Sequence, residues 1–153
     1  MHVKICCIQS IAEARMAADA GASMLGLVGA MPSGPGPISD ARIAEIAVAV
    51  PANIASVLLS SETTAEGLVA HSARCRPDIL QIVDAPVPEA YEALRLAHPA
   101  MKLMQVIHVE GADAIDQALA VEADVDVIVL DSGRPPAQVR EIGGTGRAHA
   151  WAG

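Results

Sequence analysis

The stretch that decides the fold is Val125-Asp126-Val127-Ile128-Val129-Leu130-Asp131-Ser132. Residues 125–130 form a nearly continuous apolar run, which is typical of a parallel strand buried on both faces. The run ends in the carboxylate of Asp131, and a glycine-rich segment, Gly143-Gly144-Thr145-Gly146, follows later in the chain. Because the functional groups of parallel α/β folds collect at the carboxyl ends of strands, this arrangement predicts a site at that edge.

Similar apolar runs recur along the chain and alternate with segments of helical period. We predict strands at 2–8, 23–28, 54–59, 79–83, 102–108 and 125–130. We predict helices at 10–20, 39–50, 62–74, 88–97 and 112–121, the first of them opened by a capping pair of Ser10 and Glu13. With a further helix beginning near the end of the chain, this makes six strand–helix units suited to parallel crossovers.

Periodicity alone leaves two architectures open, an open doubly wound sheet and a (β/α)₈ barrel of the TIM type. A barrel ordinarily needs about 250 residues, and at least about 200. The length of 153 residues therefore favours the open sheet, whereas the motifs described below favour the barrel. We predict a single α/β domain over residues 1–153, a TIM-type barrel that is incomplete, with only about six strand–helix units.

The composition argues against several classes of partner. The formal net charge is −8 and only Lys4 and Lys102 are lysines, whereas nucleic acid and anionic membranes select for clusters of Lys and Arg. No apolar run approaches the roughly 20 residues of a membrane span, and the N-terminus lacks the pattern of a secretory signal. Two of the three cysteines are adjacent, so we expect no disulfide framework and a reduced, cytoplasmic setting.

Several residues could carry chemistry. Cys6 ends the first predicted strand, where a thiolate could act as a base, although a cysteine is more often a small buried hydrophobic residue. Asp131 is costly to bury without a role or a partner, although it could simply cap the following turn. The glycines at 143–146 could close over an anionic ligand or form only a flexible loop. His108, at the end of the fifth predicted strand, could meet a ligand or be satisfied by a backbone partner.

No metal or cofactor site is predicted. Four histidines lack metal-ligand spacing with the cysteines: His2, His71, His98 and His149. Cys7 is expected to pack against a helix, and Asp126, inside the same run as Asp131, could line a cavity.

Five short motifs stand at the strand ends and in the loops: Lys4-Ile5-Cys6-Cys7-Ile8-Gln9, Ala20-Gly21-Ala22-Ser23-Met24-Leu25-Gly26-Leu27-Val28, Gln81-Ile82-Val83-Asp84, Val129-Leu130-Asp131-Ser132, and Gly143 through Trp151. In this order they resemble the motifs of the phosphoribosylanthranilate isomerase family, which are Lys-Ile-Cys-Gly-Ile-Thr, Ala-Gly-Ala-Asp-Ala-Ile-Gly-Phe-Val, Gln-Leu-His-Gly, Leu-Leu-Asp-Ser and Gly-Gly-Thr-Gly-Lys-Thr-Phe-Asp-Trp. The resemblance extends over the whole chain, and the ordered set is more specific than any single motif.

The resemblance implies a (β/α)₈ barrel that needs no cofactor or metal. It implies an Amadori rearrangement in tryptophan biosynthesis, from N-(5-phosphoribosyl)anthranilate to 1-(2-carboxyphenylamino)-1-deoxyribulose 5-phosphate. By resemblance, Asp131 is the general acid that protonates the ribose ring oxygen and opens the ring. Cys6, as a thiolate, then takes the proton from C2′ of the resulting iminium. The residues expected to bind this phosphosugar substrate are Gln81, Gly143, Gly144, Thr145 and Gly146.

The chain also departs from the family pattern. The family's Ser-Pro-Arg-Tyr-Ile-Ser, whose arginine meets the anthranilate carboxylate, corresponds to Gly34-Pro35-Gly36-Pro37-Ile38-Ser39. Gly36 replaces the arginine, so a charge-assisted contact worth about 1.5–3 kcal/mol is absent, and we expect Gly36→Arg to raise a slow turnover. Val83 replaces the family's histidine and Ala150 its aspartate. Strands seven and eight, whose loops hold the substrate phosphate in this family, are not found in the chain.

Three interpretations follow from the sequence. The first is an isomerase of this family or a divergent relative. The second is a non-catalytic or repurposed barrel fragment that acts as a binding or assembly module, and the third is an open-sheet phosphosugar-binding domain. Because an incomplete barrel leaves its first and last strands unpaired, we expect residues 1–153 alone to pair with another copy or to need a longer protein, and not to be a stable active monomer.

Overall fold

The computed structural model describes residues 1–32 and 34–132, and the structural statements below refer to these residues. The strands are β1 (Lys4–Ile5), β2 (Met24–Val28), β3 (Ala55–Ser60), β4 (Ile79–Ile82), β5 (Lys102–Val109) and β6 (Val127–Ser132). The helices are α1 (Ile11–Asp19), α2 (Asp40–Ala49), α3 (Ala65–Cys75), α4 (Glu89–Ala97) and α5 (Asp113–Val121). The predicted sixth helix and the glycine segment 143–146 lie outside the described residues.

All six strands are parallel, and each pairs with the strand that follows it in sequence. This order decides between the two architectures, because a doubly wound sheet reverses its strand order at a switch point. The strands form a curled half-barrel with helices between them on the outside. The predicted incomplete barrel is confirmed for the described residues, and the open doubly wound sheet is excluded.

Two apolar layers follow from the alternation of side chains along each strand. On β3, Leu58 faces the helices and belongs to the large outer core, together with Ile43 of α2 and Leu68 of α3. The neighbouring Val57 faces the other way and packs with Met104 in a small inner cluster. The inner cluster fills the interior of the half-barrel beneath its carboxyl-end opening, so polar residues at the strand ends lie above an apolar floor.

The turn from β1 into α1 is fixed by a reciprocal cap. The Ser10 hydroxyl accepts a hydrogen bond from the Glu13 amide at 3.1 Å, and the Glu13 carboxylate accepts one from the Gln9 amide at 2.7 Å. The predicted capping pair is confirmed; removing such a cap typically costs about 1 kcal/mol.

Two aspartates tie neighbouring strands together at the opposite, amino-terminal end of the sheet. Asp78 accepts hydrogen bonds from the amide and hydroxyl of Ser56 at 2.7 and 2.8 Å. Asp126 accepts a bond from the Leu103 amide at 2.8 Å and pairs with Arg95 at 3.0 Å. The Leu103 amide, followed by Arg95, lowers the pKa of Asp126. The Asp126 carboxylate thus joins β6 to β5 at the amino-terminal end of the sheet, and that it lines a cavity stays a prediction.

Predicted and observed boundaries differ by a few residues, each for a local reason. β1 is only Lys4–Ile5, because Cys7 adopts a left-handed backbone with φ +62° that ends the extended conformation. Helix α3 begins at Ala65, three residues later than predicted, because the Thr64 hydroxyl caps the Gly67 amide at 3.1 Å. Among the described residues, no helix combines the length and apolar character that crossing a bilayer requires.

Candidate active site

The carboxyl ends of the strands surround a pocket of about 220 Å³, here called the mouth pocket. Cys6 and Asp131 both line it, from the first and the sixth strand positions of the sheet. The other lining residues come from every strand between them and from the β2–α2 loop: Lys4, Cys7, Val28, Met31, Gly34, Pro35, Leu59, Gln81, Val83, Val106, His108, Val129 and Leu130. The structure thus brings the two predicted catalytic side chains to one concave site, while their roles stay predictions.

Gly26 makes room for the Cys6 side chain. A Cβ added at Gly26 would stand 2.5 Å from the Cys6 Sγ, closer than real Cβ contacts allow, and 3.1 Å from the Cys6 Cα, which is tighter than most. A glycine inside an apolar strand signals such a close approach. Sequence reasoning placed Gly26 in a motif without recognising that it positions the thiol.

We therefore expect Gly26→Ala to move Cys6 and to lower any isomerase turnover by about 10–100-fold, since small displacements of reacting groups have effects of this size. The alkylation rate of Cys6 by iodoacetamide should change with it. Gly111→Ala is the matched control, because its added Cβ meets only the Asp113 side chain at 3.2 Å. Unchanged turnover and alkylation in Gly26→Ala would contradict this role.

Asp131 lies at the end of β6, where it is half-buried and opposite His108 in the parallel register. Asp131 and His108 therefore lie side by side, and both line the mouth pocket. The Asp131 carboxyl group therefore lies within the candidate site, and its role as a general acid stays a prediction.

Lys4 and Gln81 join the first and fourth strands across the interior of the half-barrel. The Lys4 ammonium donates a hydrogen bond to the Gln81 side-chain carbonyl, and both residues line the mouth pocket. Gln81 is buried, with 6% exposure. The predicted substrate-binding residue Gln81 thus reaches the pocket already engaged by Lys4, which sequence reasoning did not assign to the site.

Cys7 and Gly36 lie so close together at the rim of the mouth pocket that a side chain at residue 36 would overlap the Cys7 side chain. Cys7 has φ +62° and Gly36 has φ +86°, so both lie in the left-handed region that favours glycine. A Cβ at Gly36 would stand 2.8 Å from the Cys7 Cβ and 3.0 Å from its Sγ. The expectation that Cys7 packs against a helix is wrong. The expected benefit of Gly36→Arg also needs correction, since the Cys7 side chain stands where that residue would begin.

A second polar cluster lies away from the mouth pocket, between the sheet and helices α2 and α3. Ser60 Oγ is 2.8 Å from His71 Nδ1, and His71 Nε2 is 3.3 Å from the Asp40 carboxylate. The other Asp40 oxygen accepts a bond from Arg74 at 2.6 Å. Together with Cys75, the donor atoms of Asp40 and His71 lie within 4.8 Å of one another, the spacing of a possible metal site.

The statement that His71 lacks metal-ligand spacing with the cysteines is wrong, because His71 and Cys75 lie one turn apart on α3. The third residue, Asp40, comes from α2, and sequence spacing does not reveal its proximity. One feature favours a structural network instead of a metal centre, since Arg74 already pairs with the Asp40 carboxylate. The absence of a metal stays a prediction.

This network predicts a loss of stability in mild acid. Burial lowers the pKa of His71 below its ordinary 6.5, against the opposing attraction of Asp40. Below about pH 6.5 the unfolded chain therefore binds more protons at this residue than the folded chain, so stability falls as the pH falls. The slope from one such group is at most about 1.4 kcal/mol per pH unit. Urea unfolding of His71→Gln should show a shallower slope there; an identical slope in the parent and the variant would contradict this assignment.

The order of the strands defines a protein of the β/α-barrel class, and the polar residues at the carboxyl ends of its strands form a candidate site at the barrel mouth. No protein-family model matches the chain. Curated relatives do match it, and they carry the name N-(5′-phosphoribosyl)anthranilate isomerase. The relative from Paramagnetospirillum magneticum is 31% identical over 153 residues, covering 99% of this chain and 69% of the relative. The relative from Paracoccus denitrificans is 32% identical over 154 residues, with 99% and 69% covered. The chain belongs to the N-(5′-phosphoribosyl)anthranilate isomerase family.

Solved structures agree on the fold. Phosphoribosylanthranilate isomerase from Thermus thermophilus superposes with a TM-score of 0.74 at 24% identity, covering 90% of this chain and 65% of that one. The enzyme from Thermotoga maritima gives a TM-score of 0.72 at 21% identity, with 90% and 64% covered. A complex of this isomerase with reduced 1-(o-carboxyphenylamino)-1-deoxyribulose 5-phosphate gives 0.70 at 22% identity, with 86% and 65% covered. The chain thus spans about two thirds of the length of these relatives and structures.

Proposed function

We propose that this chain carries the acid–base pair of an N-(5′-phosphoribosyl)anthranilate isomerase, with Asp131 as the acid and Cys6 as the base. The observation that supports this most is that the two residues, far apart in sequence, line one pocket. Family membership supplies the substrate class, a phosphoribosyl group linked to an aromatic amine. No cofactor enters the proposal.

The proposed reaction needs two proton transfers at separate atoms. Asp131 gives a proton to the ribose ring oxygen as the bond from that oxygen to C1′ breaks, which leaves an iminium. Cys6, as a thiolate, removes the proton from C2′, and the electron pair of that C–H bond neutralises the iminium to give an enamine. The enamine then tautomerises: the C2′ hydroxyl loses its proton, C1′ gains a proton, and the C2′ ketone of the product forms. Two groups on opposite sides of one substrate suit such a sequence.

The remaining pocket residues are proposed to hold the substrate. Gln81 is expected to contact it as part of the Lys4–Gln81 pair, in which the ammonium adds positive charge near the thiol. Gly143, Gly144, Thr145 and Gly146 are proposed to bind it as well, and these residues lie outside the described part of the chain. Gly36 offers no side chain to an aromatic carboxylate. We therefore expect weak binding of that end of the substrate.

Isomerase turnover tests the proposal directly. The assay follows the loss of N-(5′-phosphoribosyl)anthranilate fluorescence with residues 1–153, and in parallel with a chimera in which residues 1–132 are joined to the corresponding last third of the Paramagnetospirillum relative. We expect turnover in the chimera. A folded chimera with no turnover would contradict the proposal. It would favour the second candidate, a binding or assembly module. The Cys7 side chain, which leaves no room for a side chain at Gly36, also supports that candidate.

The edges of the described sheet lead to a proposal about self-association. In this sheet β1 and β6 are the outer strands, and exposed apolar side chains accompany them, including Leu130 at 50% and Ile5 at 41% exposure. We propose that purified residues 1–153 associate through these edges into homo-oligomers. Light scattering should give a mass above that of one chain, and Leu130→Lys should lower it. A monomer at all concentrations would contradict this proposal.

We further propose a cytoplasmic, tryptophan-biosynthetic setting for the chain. The cysteines Cys6, Cys7 and Cys75 are all free thiols, which suits a reducing compartment. Growth of a tryptophan auxotroph lacking this isomerase, when supplied with the active form of the chain, would test the setting.

A further inference from the structure

His108 is the one histidine that lines the mouth pocket among the described residues. Its Nε2 lies 3.0 Å from the backbone carbonyl oxygen of Val83, the residue that follows β4. A carbonyl oxygen can only accept a hydrogen bond, so Nε2 carries the proton. When Nε2 alone carries a proton, Nδ1 is an acceptor with a lone pair.

This acceptor is buried and unsatisfied within the described part of the structure. Nδ1 of His108 has no hydrogen-bond partner there, and the only other buried side-chain atom of this kind is Ser72 Oγ, which does not line the mouth pocket. Buried polar atoms are nearly always paired, and an exception in a functional site calls for an explanation. His108 lies on β5 in register with Asp131 on the neighbouring strand β6.

We propose that His108 is a substrate-binding residue whose Nδ1 accepts a hydrogen bond from a hydroxyl group of the opened sugar chain. The chemistry selects this part of the ligand. An ionised phosphate or carboxylate offers only acceptors, so neither can satisfy a neutral Nδ1, whereas a polyhydroxylated chain carries several donors. The inference rests on the proposed function, since it names which part of that substrate lies beside β5. His108 also places an imidazole beside the backbone of Val83, the position at which the family pattern has a histidine.

Two variants separate the acceptor from the rest of the ring. His108→Gln keeps an N–H group at the Nε2 position for the Val83 carbonyl and loses the acceptor at Nδ1. His108→Asn places an amide oxygen near the Nδ1 position and loses the bond to Val83. The probe is reduced 1-(o-carboxyphenylamino)-1-deoxyribulose 5-phosphate, the ligand of the solved isomerase complex. Binding is measured by calorimetry, with thermal unfolding of each variant as the folding control, in the 153-residue chain and in the chimera described above.

We expect His108→Gln to weaken binding of the probe by about 5–10-fold, the effect of one lost hydrogen bond, and His108→Asn to weaken it by less than about 3-fold. In ¹⁵N-labelled protein, the Nδ1 resonance of His108 should move on binding in the direction of a nitrogen that accepts a hydrogen bond. Equal binding by the parent and both variants, with an unmoved Nδ1 resonance, would overturn the inference and leave the proposed function standing. A protonated Nδ1 in the complex would overturn it as well, because the ring would then act as a donor to an anion. Failure of the folded parent and chimera to bind the probe at all would overturn both.

Discussion

Replacing Asp131 with asparagine, or Cys6 with serine, is expected to lower kcat by about 10²–10⁴-fold in the form of the protein that turns over N-(5′-phosphoribosyl)anthranilate. Removing a positioned general acid or base has an effect of this size. Both side chains line the mouth pocket on its two sides, so each change removes one proton transfer and leaves the pocket shape almost the same. The KM should change little, because neither group is proposed to supply most of the binding energy.

Matched controls come from the same chain. Asp126→Asn removes a carboxylate from the opposite end of the sheet, where Asp126 holds the Leu103 amide, and should lower stability without lowering kcat. Cys75→Ala removes a thiol that is fully buried between helices and sheet. A kcat that falls equally in a control and in its partner variant would mean that the loss comes from folding. A kcat within about 3-fold of the parent in Asp131→Asn or Cys6→Ser would reject the acid–base assignment.

Gly36→Arg is expected to destabilise the protein by about 2–5 kcal/mol, unless Cys7 is changed with it. A left-handed backbone costs a non-glycine residue about 1–2 kcal/mol, and the added Cβ would meet the Cys7 Cβ at 2.8 Å, which adds an overpacking cost of about 1–3 kcal/mol. Cys7→Gly removes the obstructing side chain. In the Cys7→Gly background, Gly36→Arg should lower the free energy of unfolding by at least about 1 kcal/mol less than it does in the parent protein. This difference is a coupling energy of the size that contacting residues show.

Gly21→Arg is the matched control for this pair. Gly21 has a similar positive φ, +92°, but a Cβ there would meet no atom within 4 Å. The control should therefore cost only the backbone part of the penalty, and Cys7→Gly should not change that cost. Urea unfolding of the parent, the three single variants and the two double variants gives both couplings. Equal costs of Gly36→Arg with and without Cys7 would show that the two positions do not exclude one another.

The order of the secondary structure could be predicted from the sequence because near-continuous apolar runs and helical periodicity leave few alternatives. The first cap was predicted from Ser10 and Glu13, and it forms as expected. The choice between barrel and open sheet could not be made from periodicity, since both are series of parallel crossovers. It required the strand order in space, and before that the resemblance of the motifs.

The candidate site could be predicted where the place of a residue in the sequence, at the end of a strand, also indicates its place in the fold. A strand that ends in Asp131, and a cysteine that ends the first strand, indicate the same edge of a parallel sheet. Contacts between distant segments were not predictable. The space that Gly26 leaves for Cys6, and the exclusion between Cys7 and Gly36, depend on distances of about one side chain. The proximity of His71 to Asp40 depends on how two helices pack against the sheet.

A crystal structure of the protein with reduced 1-(o-carboxyphenylamino)-1-deoxyribulose 5-phosphate tests the central claim most directly, that Cys6 and Asp131 act on one substrate in the mouth pocket. We predict that Cys6 Sγ lies within about 3.5 Å of C2′, the reach of a reacting pair. We also predict that an Asp131 carboxyl oxygen lies about 2.6–3.2 Å from the hydroxyl derived from the ring oxygen. A ligand bound outside the mouth pocket, or one with C2′ far from Cys6 and with other groups beside it, would contradict the account.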